Sequence, residues 1–205
     1  GIYDLSIEAK GFGDYVTAID LAIQTEIEQE ISNLFPHFQF LGEEGEDQKL
    51  DFRQPCIILD PIDGTTNLIR GMKHSSISLA YYDGEKLTYG GVYNPFLDEY
   101  FEGVHGQGAY LIEAAKKQME EGTELLKERI TGSPIVNLRQ AIIMTGTCPH
   151  DRGTMDHRLI FEVISDAFSL GEDINRTGSA ALDLSYLAAG RADIFFEAKL
   201  RPWDF

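Results

Sequence analysis

The sequence is poor in cysteine and in long apolar runs, and these two absences exclude several protein classes. Its 205 residues include two cysteines, Cys56 and Cys148, and nothing in their placement suggests a disulfide framework or a cysteine-based zinc site. No apolar run approaches the length of a membrane span, and no signal-like segment opens the chain. We therefore expect a cytoplasmic protein that is not bound to a membrane.

Basic residues are also scarce. The chain has 17 Lys and Arg residues against 34 Asp and Glu residues, which gives a formal net charge of −17. A charge of this sign argues against non-specific binding to nucleic acid and against docking on anionic membranes. It would also repel a phosphorylated substrate. Any phosphate site in this chain therefore needs local positive charge, from a bound metal or from its few lysines and arginines.

The most informative segment of the sequence is residues 60–67, which read DPIDGTTN. An apolar run at residues 56–59 precedes it and predicts a buried strand, so two carboxylates follow at the end of that strand. Pro61 stiffens the following turn, and Gly64 opens it. Hard oxygen ligands beside exposed backbone N–H groups suit a divalent cation together with a phosphate. The alternative is an ordinary surface turn rich in Asp and Asn.

Hydrophobic periodicity predicts an α/β protein in two parts. Residues 1–136 are expected to be α+β with an antiparallel sheet, and residues 137–205 are expected to be α/β with a parallel sheet. The predicted helices cover residues 14–35, 113–129, 155–170 and 181–189. The predicted strands cover residues 38–41, 56–59, 76–82, 87–93, 99–104, 109–112, 141–144, 174–176 and 192–197.

Further acidic residues follow other predicted strands or lie close to the end of the chain. Glu43 and Glu44 come after a strand and lie between glycines, and Asp204 follows the only tryptophan, Trp203. Each of these alone is typical of a solvated loop. Carboxylates from several strand ends can, however, converge on one or two cations, and clustered like charges need such cations to be tolerated.

These segments resemble the inositol monophosphatase family of metal-dependent, lithium-sensitive sugar phosphatases. The matching segments are LGEE at 41–44, DPIDGTTN at 60–67, GGVYNP at 90–95, GQGA at 106–109, RTGSAA at 176–181 and WD at 203–204. They cover nearly the whole chain in the family's order. The resemblance implies a layered αβαβα sandwich and a phosphatase that attacks its phosphomonoester with a metal-activated water.

The resemblance also implies a set of metal ligands. Glu43, Asp60 and the Ile62 carbonyl would hold a first Mg²⁺ ion, and Asp60, Asp63 and Asp204 a second. Glu43 would also serve a third, weaker site. The expected cofactor is therefore two or three Mg²⁺ ions, and no covalent Ser, Cys or His nucleophile is needed.

The family's catalytic and substrate-binding roles fall on further residues. Thr65, hydrogen-bonded to Asp20, would help Glu43 to activate water, and the N–H groups of Gly64 and Thr65 would receive the phosphate. The residues expected to contact the sugar alcohol are Asp63, Ser179, Ala180 and Glu197. The implied substrate is inositol monophosphate or a related sugar phosphate, and the implied assembly is a homodimer.

The sequence departs from the family pattern at several positions, which leaves alternatives open. Leu68 and Arg70 stand where the family commonly has an aromatic residue and a histidine, and Lys199 replaces a frequent glycine. Lys199 and Arg201 would suit a second phosphate, as in a fructose bisphosphatase or a bisphosphate nucleotidase, or would simply balance charge. A non-catalytic regulatory or RNA-associated member of the fold is another alternative. Family members continue beyond the Trp-Asp motif, so we expect a C-terminal part to be missing.

Overall fold

The computed structural model describes residues 7–11, 14–44, 50–148 and 152–205, with the side chains of residues 9–11 and 14 outside that description. The strands in this part of the chain are β1 Ile7–Gly11, β2 Asp14–Thr17, β3 Gln39–Gly42, β4 Cys56–Asp63, β5 Ser76–Tyr82, β6 Leu87–Asn94, β7 Glu99–Val104, β8 Gly108–Glu113, β9 Glu128–Ile130, β10 Ile142–Thr145, β11 Asp173–Asn175 and β12 Ile194–Phe196. The α-helices are α1 Ala18–Leu34, α2 Thr65–Arg70, α3 Ala115–Glu120, α4 Met155–Leu170 and α5 Ala180–Ala188, and a short 3₁₀ turn covers Leu138–Gln140.

The strands form two main sheets and one small pair. The large sheet has the order β3-β4-β5-β6-β7-β8-β9, in which β3 and β4 are parallel and every other neighbouring pair is antiparallel. The second sheet has the order β11-β10-β12 and is parallel throughout, as predicted. The pair β1-β2 is antiparallel.

The two faces of the large sheet pack against different helices. On one face, Ile57 and Leu59 of β4 contact Ile27 and Ile31 of α1. On the other face, Phe101 and its neighbours on β7 and β8 pack against α5. Helix α5 also contacts β12, while α4 packs against β10 and β11. The layer order is therefore helix, sheet, helix, sheet, helix, which confirms the predicted αβαβα sandwich.

Several predicted boundaries are wrong at the start of the chain. The helix predicted from residue 14 begins at Ala18, because residues 14–17 pair with β1. Thr17 ends that strand and caps the helix: its hydroxyl accepts a hydrogen bond from the N–H of Ile19 at 3.2 Å. Its own N–H donates to the Asp20 carboxylate at 2.9 Å, which completes a capping box. This cap fixes where α1 starts.

Other corrections concern the large sheet. The sheet is not wholly antiparallel, because β3 runs parallel to β4. The helix predicted over residues 113–129 is reduced to α3, and residues 128–130 instead extend the sheet beside β8. Gly122, with φ of +64°, lies just after α3, where a left-handed residue ends a helix. The proposed division at residues 136/137 stays a prediction.

Two further features concern the helices and the cysteines. None of the helices in the described ranges is long and apolar enough to cross a membrane. Both cysteines are free thiols, with Cys56 buried and Cys148 partly exposed.

We expect Leu59→Ala to lower the free energy of unfolding by about 2–5 kcal/mol, because Leu59 is fully buried between the large sheet and α1. Leu126→Ala is the matched control, since that side chain is 77% exposed and its loss should change stability by less than about 0.5 kcal/mol. Denaturant unfolding measures both. Equal stability changes for the two variants would contradict this assignment of the core.

Candidate active site

An irregularity in β4 brings two acidic side chains to the same side of the large sheet. Asp60 pairs with Ser78 of β5 and Asp63 pairs with Ser76, so three steps along β4 match two steps along β5. Side chains three residues apart in a regular strand point to opposite faces. The extra residue removes that alternation, as a β-bulge does, and Pro61, which has no N–H to pair, lies within it. Asp60 and Asp63 therefore face the same site.

The loop after β3 places Glu43 beside Asp60. The N–H of Glu43 donates to the carbonyl of Leu59 at 3.0 Å, which continues the pairing of β3 with β4 beyond the strand end. Burial raises the pKa of Asp60 well above its ordinary value, and the charges of Glu43 and Asp63 and a hydrogen bond with Glu43 raise it further. Like charges are thus held close together at the carboxyl ends of these two parallel strands.

Helix α1 holds the threonine that follows the bulge. The hydroxyl of Thr65 lies 3.2 Å from Oδ1 of Asp20, so the structure contains the hydrogen bond expected from the sequence. The same hydroxyl lies 3.1 Å from the carbonyl oxygen of Ile62. Asp20 is completely buried, and its Oδ2 accepts hydrogen bonds from both the N–H and the hydroxyl of Thr17. Oδ1 is the oxygen that remains for Thr65.

The start of α5 closes the site from the side of the second sheet. Oδ2 of Asp63 accepts hydrogen bonds from the Ser179 hydroxyl at 2.6 Å and from the Ala181 N–H at 2.8 Å. Burial raises the pKa of Asp63 to about 6, and these two hydrogen bonds oppose that rise. Asp63 therefore links β4 of the large sheet to the start of α5 through one carboxylate oxygen.

Asp204 and Glu197 complete the acidic group. Oδ2 of Asp204 accepts a hydrogen bond from the Arg201 N–H at 2.6 Å, and burial raises the pKa of Asp204. Burial raises the pKa of Glu197 to about 7, and the charges of Asp204 and Asp63 contribute to that rise. The Glu197 carboxyl occupies the space that a Cβ of Gly146 would fill, so a larger residue at 146 would displace that carboxyl.

The donor set suits a hard divalent cation in its chemistry. Within the described ranges, no group of three or more His, Cys, Asp or Glu side chains is arranged as a ready-made metal site. Carboxylate and carbonyl oxygens are nevertheless the ligands that Mg²⁺ prefers, and Asp60, Asp63 and Asp204 all have raised pKa values in its absence. A cation between them would favour their ionised forms.

A pocket of about 450 Å³ is lined by one acidic residue of this group, Glu43. Glu43, Gly64 and Thr65 line it, and Gly64 has a φ of +89°, which favours glycine at the start of α2. Three arginines also line this pocket, which supplies positive charge in a strongly acidic chain: Arg70, Arg152 and Arg176.

Sequence reasoning assigned no supporting role to two polar residues that hold the main chain around the site. Gln24 binds the main chain of Glu44, and Asn67 donates through Nδ2 to the carbonyls of His74 at 2.7 Å and Thr177 at 2.9 Å. Asn67 belongs to a recognised motif, and Gln24 lies one helical turn after Asp20, so its position was an available signal.

The fold and the site together define a class: a layered α/β protein with a buried acidic centre between its two sheets. The chain belongs to the inositol monophosphatase family, whose family model matches residues 3–205.

Two of the relatives with similar sequences have different names. The chain is 35% identical to Nus factor SuhB of Escherichia coli over 201 residues, which covers 96% of this chain and 67% of that protein. It is 34% identical to the inositol-1-monophosphatase of Rhizobium meliloti, which covers 99% of this chain and 70% of that protein.

A solved structure gives the same result for the fold. The extragenic suppressor protein suhB from Bartonella henselae is 33% identical and superposes with a TM-score of 0.84, over 98% of this chain and 71% of that one.

We expect Glu197→Gln to stabilise the metal-free protein at pH 8 by about 1–2 kcal/mol, a value reduced because the side chain is partly solvated. In the folded protein the pKa of Glu197 is raised from 4.5 to about 7, so folding favours the neutral carboxyl. The natural protein therefore loses stability as the pH rises from 4.5 through about 7. At pH 5 the two proteins should differ little. Chemical unfolding in a chelator measures both, with the exposed Glu162→Gln on α4 as control. A larger gain at pH 5 than at pH 8 would contradict the assignment.

Proposed function

We propose that this protein is a Mg²⁺-dependent phosphomonoesterase that acts on inositol monophosphate or a related sugar phosphate. The observation that carries the proposal is that Glu43 and the Gly64-Thr65 turn line the same pocket, with Asp60 buried beside Glu43. A carboxylate proposed to bind metal and a glycine turn suited to an anion therefore line the same pocket. The inositol-1-monophosphatase relative supports this reaction.

Five residues would hold the metal ions. Glu43, Asp60 and the Ile62 carbonyl would bind one Mg²⁺, and Asp60, Asp63 and Asp204 a second, with Glu43 also facing a third, weaker site. When bound, Mg²⁺ supplies the positive charge that lowers the pKa of water and neutralises the phosphoryl oxygens. A structure of an IMPase/NADP phosphatase, 25% identical to this chain, is described as complexed with Mg²⁺ and phosphate, which supports the choice of ion.

We propose that Thr65 and Asp20 take part in proton transfer. The Thr65 hydroxyl has one proton, which it donates to Asp20 or to the Ile62 carbonyl, while its lone pairs accept a hydrogen bond from water. Because Thr17 occupies Oδ2 of Asp20, the orientation of the Asp20 carboxylate is fixed. We propose that this pair, together with Glu43, orients and deprotonates the attacking water.

The remaining residues bind the substrate. The N–H groups of Gly64 and Thr65 would receive the phosphate, and the arginines of the pocket add positive charge near it. The residues proposed to contact the sugar hydroxyls are Asp63, Ser179, Ala180 and Glu197. Asp63 has one oxygen committed to α5, so Oδ1 is the atom available for a metal ion or a substrate.

Cellular setting and assembly follow the family expectation. We propose a cytoplasmic homodimer that is inhibited by lithium and that binds neither nucleic acid nor membranes. The net charge of −17 supports the last two points.

A bisphosphate substrate is the second candidate, and the three pocket arginines are the observation that favours it. Lys199, by contrast, forms an ion pair with Asp156 at 2.9 Å, which favours charge balance for that residue. Parallel assays of inositol-1-phosphate, fructose bisphosphate and a bisphosphorylated adenosine separate the two candidates. We expect the highest kcat/KM with inositol phosphate, and faster turnover of either bisphosphate would replace our preferred substrate.

The Nus factor name of several relatives makes a non-catalytic role the contrasting hypothesis. The buried acids favour catalysis, because repulsion among Asp60, Glu43 and Asp63 serves no purpose in a protein that binds no cation.

We expect Asp60→Asn to lower Mg²⁺-dependent phosphate release by more than about a thousandfold, since Asp60 would serve both proposed metal sites and its loss would cost several kcal/mol of transition-state stabilisation. The metal-free variant should unfold at an equal or higher temperature than the natural protein, because one repelling carboxylate is removed. Asp166→Asn, on the exposed face of α4, is the control and should keep full activity. Full activity of Asp60→Asn, or activity in excess chelator, would refute the proposed enzyme.

A further inference from the structure

Gln24 is the second buried polar residue of α1. Asp20 and Gln24 are the buried residues of this helix, and a spacing of four places them on the same face, about 6 Å apart along the axis. Asp20 contacts Thr65, as described above. Gln24 instead reaches the loop that carries Glu43.

The Gln24 amide binds both polar main-chain groups of Glu44. Its Oε1 accepts a hydrogen bond from the Glu44 N–H at 3.0 Å, and its Nε2 donates to the Glu44 carbonyl. Glu44 is itself buried, so these main-chain groups have little access to water. The Gln24 side chain therefore satisfies the main-chain N–H and carbonyl of the residue that directly follows Glu43.

Gly42, on the other side of Glu43, has no side chain and so leaves space for the Gln24 amide. A Cβ at residue 42 would collide with the Gln24 side-chain amide. A larger residue at this position would therefore have to displace the Gln24 amide, and the backbone itself does not call for glycine, since its φ is not in the left-handed region. Residues 42 and 44 both contact Gln24, and Glu43 lies between them with its N–H bonded to Leu59.

We propose that Gln24 is a positioning residue that fixes the direction of the Glu43 carboxylate relative to Thr65. The two ends of the water-activating group, Glu43 and Thr65, would then be set by one rigid helix, through Gln24 and Asp20. This inference rests on the proposed function, because the position of Glu43 matters only if it binds a cation. The expected result of losing Gln24 is weaker Mg²⁺ binding by a protein that still folds.

The test compares Gln24→Leu with Gln24→Glu. Leucine keeps the volume and the burial but removes both hydrogen bonds, whereas glutamate keeps an oxygen that accepts from the Glu44 N–H. We expect Gln24→Leu to weaken Mg²⁺ binding by about tenfold or more, as loss of groups that support metal ligands commonly does. Gln24→Glu should recover only part of that loss, because its second oxygen cannot donate to the Glu44 carbonyl unless the carboxyl is protonated. Calorimetric titration of the metal-free protein with Mg²⁺ gives the affinities without reference to turnover.

Two further readouts separate positioning from general support of the fold. In Gln24→Leu the Glu44 amide should exchange with deuterium faster, while core amides of β4 keep their protection. In an assay with inositol-1-phosphate, kcat should fall about tenfold at limiting Mg²⁺ with little change in KM.

The chain offers a matched control at Gln39. Its side-chain amide also forms two hydrogen bonds with one residue's main chain, that of Asp51, each at 2.8 Å, on the opposite end of β3 from Glu43. Gln39→Leu should affect stability as much as Gln24→Leu does, yet leave Mg²⁺ affinity unchanged. Equal weakening of Mg²⁺ binding by both variants would show that loss of stability, and not positioning, explains the effect.

Gly42→Ala serves if Gln24→Leu does not fold. It pushes the same amide away from the other side, and Mg²⁺ binding should weaken by a similar factor. In the background of Gln24→Ala, which makes room for the added methyl group, Gly42→Ala should cause no further loss, because the two changes act on one contact.

A failure of the proposed function can be distinguished from a failure of this inference alone. Natural protein that binds no Mg²⁺ would overturn the proposed function and this inference with it. Normal Mg²⁺ binding by the natural protein together with unchanged affinity in Gln24→Leu would overturn the inference alone.

Discussion

Repulsion among buried carboxylates is the constraint on which the rest of this structure depends. Asp60 lies inside β4 with Glu43 and Asp63 around it, and each of these charges disfavours the ionised form of its neighbours. Such a group does not assemble by its own attraction. Hydrogen bonds and packing from the surrounding elements must hold it together, and the fold can be understood as the set of elements that do so.

Each layer of the fold contributes one of these restraints. The bulge in β4 turns Asp63 to the side of Asp60, and the start of α5 holds Asp63 through Ser179 and the Ala181 N–H. Helix α1 holds Thr65 on the far side. The site therefore lies where two sheets and two helices meet, and it depends on the register of all four. A shift in any one of them would separate groups whose mutual repulsion favours separation.

Apolar periodicity predicted the α/β class, and the resemblance carried by the DPIDGTTN motif and its companions implied the layer order and the acidic residues proposed for the site, because these are local signals. What the sequence could not predict was decided by distant partners. The strand at residues 14–17 forms because β1 is beside it, and residues 128–130 form a strand because the edge of β8 is available. The bulge is visible only in the pairing with β5.

Hydrophobic periodicity predicted helix α1 but not which of its residues are buried. The apolar side chains of Ile19 and Leu34 are exposed, whereas the buried positions are Asp20 and Gln24. Periodicity detects the face of a helix that avoids water, yet a polar side chain can occupy the deepest position when the neighbouring main chain satisfies it. Hydrophobicity alone therefore did not predict that Gln24 is buried.

The hydrogen bond from Asn67 to the Thr177 carbonyl has a consequence for synthesis of the protein. Its partners are 110 residues apart, and the bond between Ser179 and Asp63 spans 116. At a translation rate of about 5–20 residues per second, the DPIDGTTN segment waits roughly 5–20 seconds for the chain that completes it. Once residue 130 has been made, the nascent protein has all strands of the large sheet with Glu43, Asp60 and Asp63, but not the start of α5. The acidic centre is therefore finished late, and a ribosome-bound chain ending before residue 177 should lack its final geometry.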